Sequence, residues 1–305
     1  MSGEILKHPA LSWRDYLELC KPNVVALMLV TSVIGMFMAS PGMVPLDILC
    51  WGNLGIACCA GSAAAINHLV DFEADAEMRR TQDRPVAQGR ISRPQAVLFA
   101  LLLGLCGMTI LLVNINALTA WLTLASLLGY ALVYTLFLKR ATPQNIVIGG
   151  LAGATPPLLG WTAVTNQVDG HGLLLVLIIF AWTPPHFWAL AIHRKDEYAL
   201  VNIPMLPVTH GIAFTKLQVL LYTLILCAAS LLPFATGLSS YLYLLGAIVL
   251  GLGYVYWAIA LLRSDGREFA MDAFKYSIIY LFALFAIMLI DHWLLPAPIV
   301  VEMYT

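Results

Sequence analysis

Two long stretches without any charged residue limit the possible folds of this chain more than any other feature. Pro94–Leu138 contains no Asp, Glu, Lys or Arg over 45 residues, and Leu217–Leu262 contains none over 46. A helix needs about 20 apolar residues to cross the hydrocarbon core of a bilayer, so each stretch is long enough for two crossings. Turn-forming residues lie near the middle of each, at 114–116 and at 237–240. Each stretch is therefore predicted to be a hairpin of two transmembrane helices.

The composition agrees with an integral membrane protein, because 61% of the residues are hydrophobic and only 11% are charged. A net charge of −1 provides no basic surface for nucleic acid. The predicted fold is all-α: a cytosolic segment over 1–22, one transmembrane domain over 23–295 with an active site facing the cytosol, and a periplasmic tail over 296–305. Nine spans are predicted, at 23–41, 48–70, 95–113, 118–138, 145–163, 173–193, 217–236, 241–262 and 276–295.

The basic residues predict the orientation of the chain, since Lys and Arg favour the cytosolic side of short loops. With nine spans and a cytosolic N-terminus, all 16 basic residues fall at cytosolic ends and the C-terminus is periplasmic. Residues 1–21 have neither the apolar core of a signal peptide nor the acid-poor composition of a transit peptide. The expected location is a bacterial inner membrane. The basic residues are Lys7, Arg14, Lys21, Arg79, Arg80, Arg84, Arg90, Arg93, Lys139, Arg140, Arg194, Lys195, Lys216, Arg263, Arg267 and Lys275.

The stretch Asn67–Pro85 holds five carboxylates and three arginines within 19 residues. Asn67, Asp71 and Asp75 recur at intervals of four, so on a helix they lie along one face. Such a row of oxygen ligands suits Mg²⁺, which is usually held by one or two carboxylates and the phosphates of a substrate. The stretch therefore predicts a diphosphate site, and the alternative is a solvated loop whose charges balance. Guanidinium groups that would bind the phosphate oxygens follow at Arg79, Arg80 and Arg84.

A second polar cluster ends the stretch Trp182–Tyr198. The adjacent prolines at 184–185 are predicted to kink their helix, and those at 156–157 to kink the preceding one, with a pocket between the two helices. Asp196 and Glu197 are predicted to hold a second Mg²⁺, because paired metals clamp the leaving oxygens of a displacement. Their neighbours Arg194 and Lys195 would then meet phosphate. An ordinary juxtamembrane charge cluster is the alternative.

Further candidates lie near the predicted cytosolic ends of two helices. His186 and His193 are seven residues apart and share a helix face, so either is a candidate axial ligand of a haem iron. Hydrogen bonding within the helix bundle is the alternative for both. Tyr130, Tyr134 and Lys139 lie along the cytosolic end of the fourth span, where a tyrosine hydroxyl would steady a cation or a phosphate. Anchoring at the membrane interface is the alternative for the tyrosines.

The first cluster resembles the aspartate motif of the UbiA-type intramembrane prenyltransferases. Within that family, Pro185–Ala191, Tyr198–Val208 and Ala152–Gly160 are similar to the branch that farnesylates haem rather than to the quinone-forming branch. The resemblance covers about residues 12–295. One departure is the sequence at 195–198, Lys-Asp-Glu-Tyr, which stands where quinone-forming members have a DxxxD motif. The matching pattern of the first cluster is Asn67-x₃-Asp71-x₃-Asp75-x₂-Met78-x-Arg80-Thr81-x₂-Arg84-Pro85.

The resemblance implies that haem b, farnesyl diphosphate and water give haem o and diphosphate, with Mg²⁺ as cofactor and haem b as a substrate rather than a cofactor. It implies a bilayer around the helices, and haem A synthase or the assembly of a terminal oxidase as the partner that receives the product. The implied catalytic residues are Asn67, Asp71, Asp75, Arg80, Arg84 and Lys195. The implied substrate-binding residues are Arg79, Tyr130, Tyr134, Lys139, His186, Trp188, Arg194 and Tyr198. The implied metal ligands are Asn67, Asp71, Asp75, Asp196 and Glu197.

Two other functions remain open at this point. One is a prenyltransferase of the same type that acts on an aromatic quinone precursor, which would share the diphosphate chemistry. The other is a haem-handling membrane transporter without catalysis. A transport path more often places ionisable groups near the membrane midplane, whereas here no predicted span has a charged residue at its centre.

Overall fold

The computed structural model describes residues 12–79, 81–201 and 203–294, and within them all regular structure is helical. A π-helical segment, Gly129–Leu138, joins α5 to α6. The α-helices are α1 (Trp13–Leu19), α2 (Pro22–Met38), α3 (Leu46–Glu77), α4 (Arg93–Asn114), α5 (Ala117–Leu128), α6 (Lys139–Ala141), α7 (Asn145–Ala154), α8 (Pro156–Thr165), α9 (Gly170–His193), α10 (Lys195–Leu200), α11 (Leu206–Thr209), α12 (Gly211–Ala235), α13 (Tyr241–Arg263) and α14 (Ala270–Leu294).

Within the described ranges, eight helices are long and apolar enough to cross a membrane. One of them combines α5, the π-helical segment and α6, and another combines α7 with α8. A ninth crossing results when α1 and α2, which meet at an angle of 54°, are counted together. The predicted all-α membrane fold is therefore confirmed, and the count agrees with nine spans. Of the predicted terminal segments, residues 1–11 and the whole tail 296–305 lie outside the described residues.

Helix α3 continues beyond the predicted end of the second span. The span was predicted to end at residue 70, whereas the helix runs for 32 residues to Glu77. At 1.5 Å per residue this is about 48 Å, well above the hydrocarbon thickness of about 30 Å. Asp71 and Asp75 therefore lie on the last two turns of a rigid helix and not in a loop.

The two proline pairs have different effects on their helices. Helices α7 and α8 are separated at Thr155, directly before Pro156. Helix α9 continues through Pro184 and Pro185, from Gly170 to His193. A Cβ on Gly150 of α7 would lie 2.8 Å from Cγ2 of Thr183, so α7 and α9 are in contact here and leave no pocket at this point.

Helices α2 and α8 approach each other closely through glycine. A Cβ on Gly35 would lie 2.0 Å from the carbonyl oxygen of Pro157, and one on Gly160 would lie 2.0 Å from that of Ser32. Both contacts are to backbone, which a rotamer change cannot move. Small residues that let helix backbones meet are typical of packing inside membranes, where the hydrophobic effect does not drive helices together.

Gly160→Ala is expected to destabilise the protein by about 1–3 kcal/mol, because the new methyl group pushes α8 away from α2. Thermal unfolding in detergent measures the change. Gly153→Ala is the matched control, since a Cβ at Gly153 on neighbouring α7 would contact nothing within 4 Å. Equal melting temperatures for the two variants would contradict this account of the α2–α8 contact.

The N-terminal helix is fastened to the loop after α3. Leu19, Val86 and Ile91 are buried together in one small core. Arg90 of the loop forms ion pairs with Asp15 at 3.3 Å and with Glu18 at 3.4 Å. This packing holds α1 and the α1–α2 hinge beside the polar end of α3.

Candidate active site

The polar end of α3 carries the predicted row of oxygen ligands on one buried face. Asn67, Asp71 and Asp75 are 4%, 1% and 5% exposed. The amide nitrogen Nδ2 of Asn67 donates a hydrogen bond to Oδ2 of Asp71 at 2.7 Å. Burying carboxylates is unfavourable unless opposite charges or hydrogen bonds compensate, and three cations do so here.

The three cations come from three different segments of the chain. Lys21 donates to Oδ1 of Asn67, and Lys139 forms an ion pair with Oδ2 of Asp71. Nη1 of Arg84 lies 2.6 Å from Oδ2 of Asp75. The site thus places basic groups directly against the oxygen-bearing side chains of α3.

Local backbone structure positions each of these cations. Lys21 has a left-handed conformation, φ 51° and ψ 62°, at the hinge where α1 meets α2. Lys139 directly follows the π-helical segment, and its carbonyl accepts a hydrogen bond from Nδ2 of Asn145 at 3.0 Å. Thr81 Oγ1 donates to the carbonyl of Asp75 at 3.0 Å and so begins the loop that returns Arg84 to α3. π-Helical insertions are frequent at functional sites because they shift side chains out of the α-helical register.

The acidic face fits a magnesium ion. Oδ1 of Asp71 is buried and has no hydrogen-bonding partner among the described residues. Such an atom is unfavourable in isolation, so a cation that binds it would relieve a desolvated charge. No group of three His, Cys, Asp or Glu side chains with metal-ligand geometry occurs in the described ranges. The acidic face therefore suits an ion that takes most of its ligands from water and phosphate, as Mg²⁺ does.

The second predicted carboxylate pair is held by arginines. Asp196 accepts two hydrogen bonds from Arg267, both of 2.7 Å, and its side chain is 78% exposed. The hydrogen bond from Arg267 lowers the pKa of Asp196. Glu197 lies 3.8 Å from Nη1 of Arg194. Lys195 begins α10 beside them and is partly exposed. No described contact brings Asp196 or Glu197 together with the carboxylates of α3.

His186 and Trp188 lie in packed regions between helices. Nδ1 of His186 is 2.6 Å from Oγ of Ser277, and its ring stacks between Trp182 and Phe274 at centroid distances of 4.1 and 4.5 Å. Trp188 is 1% exposed and meets another ring of the core edge-on at 5.2 Å. No described contact connects either side chain to the acidic face of α3.

The remaining predicted residues occupy different surroundings. Tyr130 and Tyr134 stack at a centroid distance of 5.4 Å in the π-helical segment that leads to Lys139. Arg79 is exposed just beyond the end of α3, and Tyr198 is partly buried on α10. Arg80 lies outside the described residues.

Lys21 was not predicted as a site residue from the sequence. Its one local signal is its position directly before Pro22, which starts a span. Its partner Asn67 is 46 residues away, and no periodicity connects positions so far apart. Only the packed fold shows that the N-terminal hinge contributes to the site.

Comparisons with known proteins agree with this architecture. The chain matches the model of the UbiA prenyltransferase family over residues 28–296. It is 69% identical over 298 residues to a Saccharophagus degradans protein named protoheme IX farnesyltransferase, covering 98% of each chain. A solved digeranylgeranylglyceryl phosphate synthase superposes with a TM-score of 0.78 at 18% identity, over 92% of this chain and 98% of that one. A UbiA homologue from Archaeoglobus fulgidus, bound to GPP and Mg²⁺, superposes with a TM-score of 0.62 at 16% identity, over 90% and 99%. The chain belongs to the UbiA prenyltransferase family.

Proposed function

We propose that this protein transfers the farnesyl group of farnesyl diphosphate to a vinyl group of haem b, with addition of water, to give haem o and diphosphate. The observation that carries this proposal is the 69% identity, over nearly the whole chain, to a protein named protoheme IX farnesyltransferase. The quinone-precursor and transporter functions have no comparable support. The buried acidic face of α3 with its three cations supplies the chemistry that the reaction needs.

Asn67, Asp71 and Asp75 would hold Mg²⁺ and, with it, the diphosphate of the substrate. The ion, when bound, neutralises the phosphate oxygens and polarises the leaving group. Oδ1 of Asp71 is the free ligand atom for it. The UbiA homologue from Archaeoglobus fulgidus that was solved with GPP and Mg²⁺ supports this proposal. Arg79, which follows the end of α3, and its sequence neighbour Arg80 are proposed to extend the phosphate site.

The three cations stabilise the charge that builds up as the allylic carbon–oxygen bond breaks. Lys21, Lys139 and Arg84 already stand against the ligand face, so little reorganisation is needed at the moment of reaction. The bond breaks with both electrons on diphosphate and leaves a farnesyl cation. A vinyl group of haem attacks that cation, and water adds to the resulting carbon cation beside the porphyrin and loses a proton. No nucleophilic side chain of the protein is consumed.

The acceptor is proposed to lie toward the helices that carry the family's haem-type pattern. His186, Trp188 and Tyr198 belong to that pattern and are proposed to contribute to the haem site. Tyr130 and Tyr134 are proposed to steady the cation or the phosphate. Ser277 holds Nδ1 of His186, so any contact of this ring with iron would use Nε2. Trp188 is fully buried and would act by supporting the wall of the haem site from behind.

The protein is an integral membrane protein, and we propose a bacterial inner membrane with a cytoplasmic N-terminus and a periplasmic C-terminus. The sorting of all 16 Lys and Arg residues to one side supports this orientation. The active site then faces the cytosol, where farnesyl diphosphate enters from the interface. Haem A synthase or a terminal oxidase under assembly is the proposed recipient of haem o.

A second Mg²⁺ is proposed at Asp196 and Glu197, with Arg194 and Lys195 nearby for phosphate. Asp196→Asn should then raise the Mg²⁺ concentration for half-maximal activity at least about tenfold, the scale on which even residues behind a metal ligand act. Asp265→Asn is the matched control, because Asp265 is an exposed carboxylate two residues before Arg267 in the sequence. It should leave the Mg²⁺ concentration for half-maximal activity unchanged. If Asp196→Asn shows the same Mg²⁺ dependence as the wild type, the second metal site is contradicted. Mg²⁺ would then bind only at the acidic face of α3.

The acceptor is tested by following diphosphate release from farnesyl diphosphate with different acceptors. We expect release to depend on haem b and to match haem consumption one to one. Release that requires a phenolic acid and ignores haem b would assign the acceptor to the quinone-precursor class instead.

A further inference from the structure

A cleft opens beside the acidic face, on the side of the N-terminal helices. It has a volume of about 580 Å³ and lies between α1, the α1–α2 hinge, α3 and the loop after α3. The described lining includes the cations Arg14, Lys21 and Arg84 and one carboxylate, Glu18. An anion is the ligand that this excess of positive charge favours.

His68 lies in the wall of this cleft and is unsatisfied. It is 2% exposed, and neither Nδ1 nor Nε2 has a hydrogen-bonding partner among the described residues. A neutral imidazole carries one N–H donor and one acceptor. Buried polar groups are nearly always paired in folded proteins. The ring therefore lacks a partner that a bound ligand would supply.

The position of His68 on α3 connects the cleft to the acidic face. It precedes Asp75 by seven residues, so the two side chains point in nearly the same direction about 10.5 Å apart along the helix. Arg84 binds Asp75 and also lines the cleft, and Lys21 does the same for Asn67. Lys21 and Arg84 thus border both the acidic face and the cleft. His68 lies on α3 farther than Asp75 from the polar end of the helix.

We propose that His68 is a substrate-binding residue whose imidazole N–H donates a hydrogen bond to an oxyanion of the substrate, next to Lys21 and Arg84. This inference rests on the proposed function, which supplies two oxyanions. One is a phosphate oxygen of the prenyl diphosphate, and the other is a propionate carboxylate of haem. His68 binds and orients this group and takes no part in bond breaking.

The test measures binding to the purified full-length protein in detergent. His68→Phe keeps a planar ring and removes both nitrogens. We expect the dissociation constant of one probe to rise about 10- to 100-fold, as for a lost hydrogen bond to a charged group, and that of the other to stay within about threefold. The probes are farnesyl S-thiolodiphosphate with Mg²⁺, which does not react, and haem b. If haem b is the affected probe, its dimethyl ester should bind wild type and variant equally.

Two further variants separate hydrogen bonding from packing. His68→Asn places an amide nitrogen near the position of Nδ1 and His68→Gln near that of Nε2, and one of them should restore most of the affinity. Ser62→Ala is the matched control, because Oγ of Ser62 on the same helix donates to the carbonyl of Ala100 at 2.7 Å. It should lower the melting temperature and leave both dissociation constants unchanged.

Unchanged affinity for both probes in His68→Phe would overturn the proposal. Equal weakening of both probes without rescue by either amide would overturn it as well, since that pattern indicates packing alone. If His68→Phe does not fold, the Asn and Gln variants decide, because each keeps an amide in the position of only one ring nitrogen. Binding is measured without turnover, so a wild type that binds both probes but forms no haem product would contradict the proposed function and not this inference.

Discussion

Asp71→Asn is expected to lower kcat/KM at least about 1000-fold, equivalent to about 4 kcal/mol of transition-state stabilisation. The substitution keeps the size and the hydrogen-bonding reach of the side chain but removes its negative charge. Oδ1 of Asp71 is the buried carboxylate atom without a partner in the described acidic face, so it is the atom from which Mg²⁺ gains most. Steady-state kinetics with farnesyl diphosphate and haem b measures the loss.

A double variant distinguishes a metal ligand from a structural ion pair. Lys139 forms an ion pair with Asp71, so Asp71→Asn leaves a partly buried ammonium group without its counter-charge. Removing one partner of a buried pair destabilises a protein, and removing both is often nearly neutral. Asp71→Asn combined with Lys139→Met should therefore recover melting temperature without recovering activity. Activity in the double variant equal to that of Lys139→Met alone would show that Asp71 serves only to neutralise Lys139.

Arg84→Met is expected to raise the KM for farnesyl diphosphate about 100-fold and to lower kcat. Arg84 lies 2.6 Å from Asp75 and lines the cleft beside the acidic face. Its guanidinium group therefore stabilises the ligand carboxylate in the free protein and the leaving group during reaction. Loss of a hydrogen-bonded charge pair of this kind costs about 2–5 kcal/mol. Initial rates at varied farnesyl diphosphate and saturating haem b measure the effect.

Two further arginine variants serve as comparisons. Arg84→Lys keeps the charge but loses the fork of parallel donors, so we expect an intermediate KM. Arg93→Met is the matched control, because the Arg93 guanidinium lies 3.7 Å from the ring centroid of Phe72 on the same α3 helix without contacting the acidic row. Its KM should equal that of the wild type. Similar KM increases in Arg84→Met and Arg93→Met would contradict a specific role of Arg84. They would show that the KM depends only on the total positive charge at this membrane face.

The sequence predicted the fold well because hydrophobicity determines it almost alone. The two uncharged stretches could only be hairpins of membrane helices, and the structure forms them as α4 with α5 and as α12 with α13. The row at Asn67, Asp71 and Asp75 was predictable because spacing within one helix is a local property. The length of α3 was not, since its last turns are polar and are stabilised by distant partners.

Contacts between distant segments could not be predicted. Lys21 reaches Asn67 across 46 residues, and Asp196 meets Arg267 across 71. Such pairs depend on how the helices pack, which no local pattern contains. The sequence also could not show that α9 continues through Pro184 while α7 ends before Pro156, since both proline pairs give the same local signal.

The most direct measurement is the mass of the product that the purified protein forms from haem b, farnesyl diphosphate and Mg²⁺, with Asp71→Asn assayed in parallel. We predict a product with the mass of haem b plus one farnesyl group plus one water, formed by the wild type and absent from the variant. In water enriched in ¹⁸O the product mass should increase by that one labelled oxygen. Unchanged haem b, with folded protein and intact farnesyl diphosphate, would contradict the account.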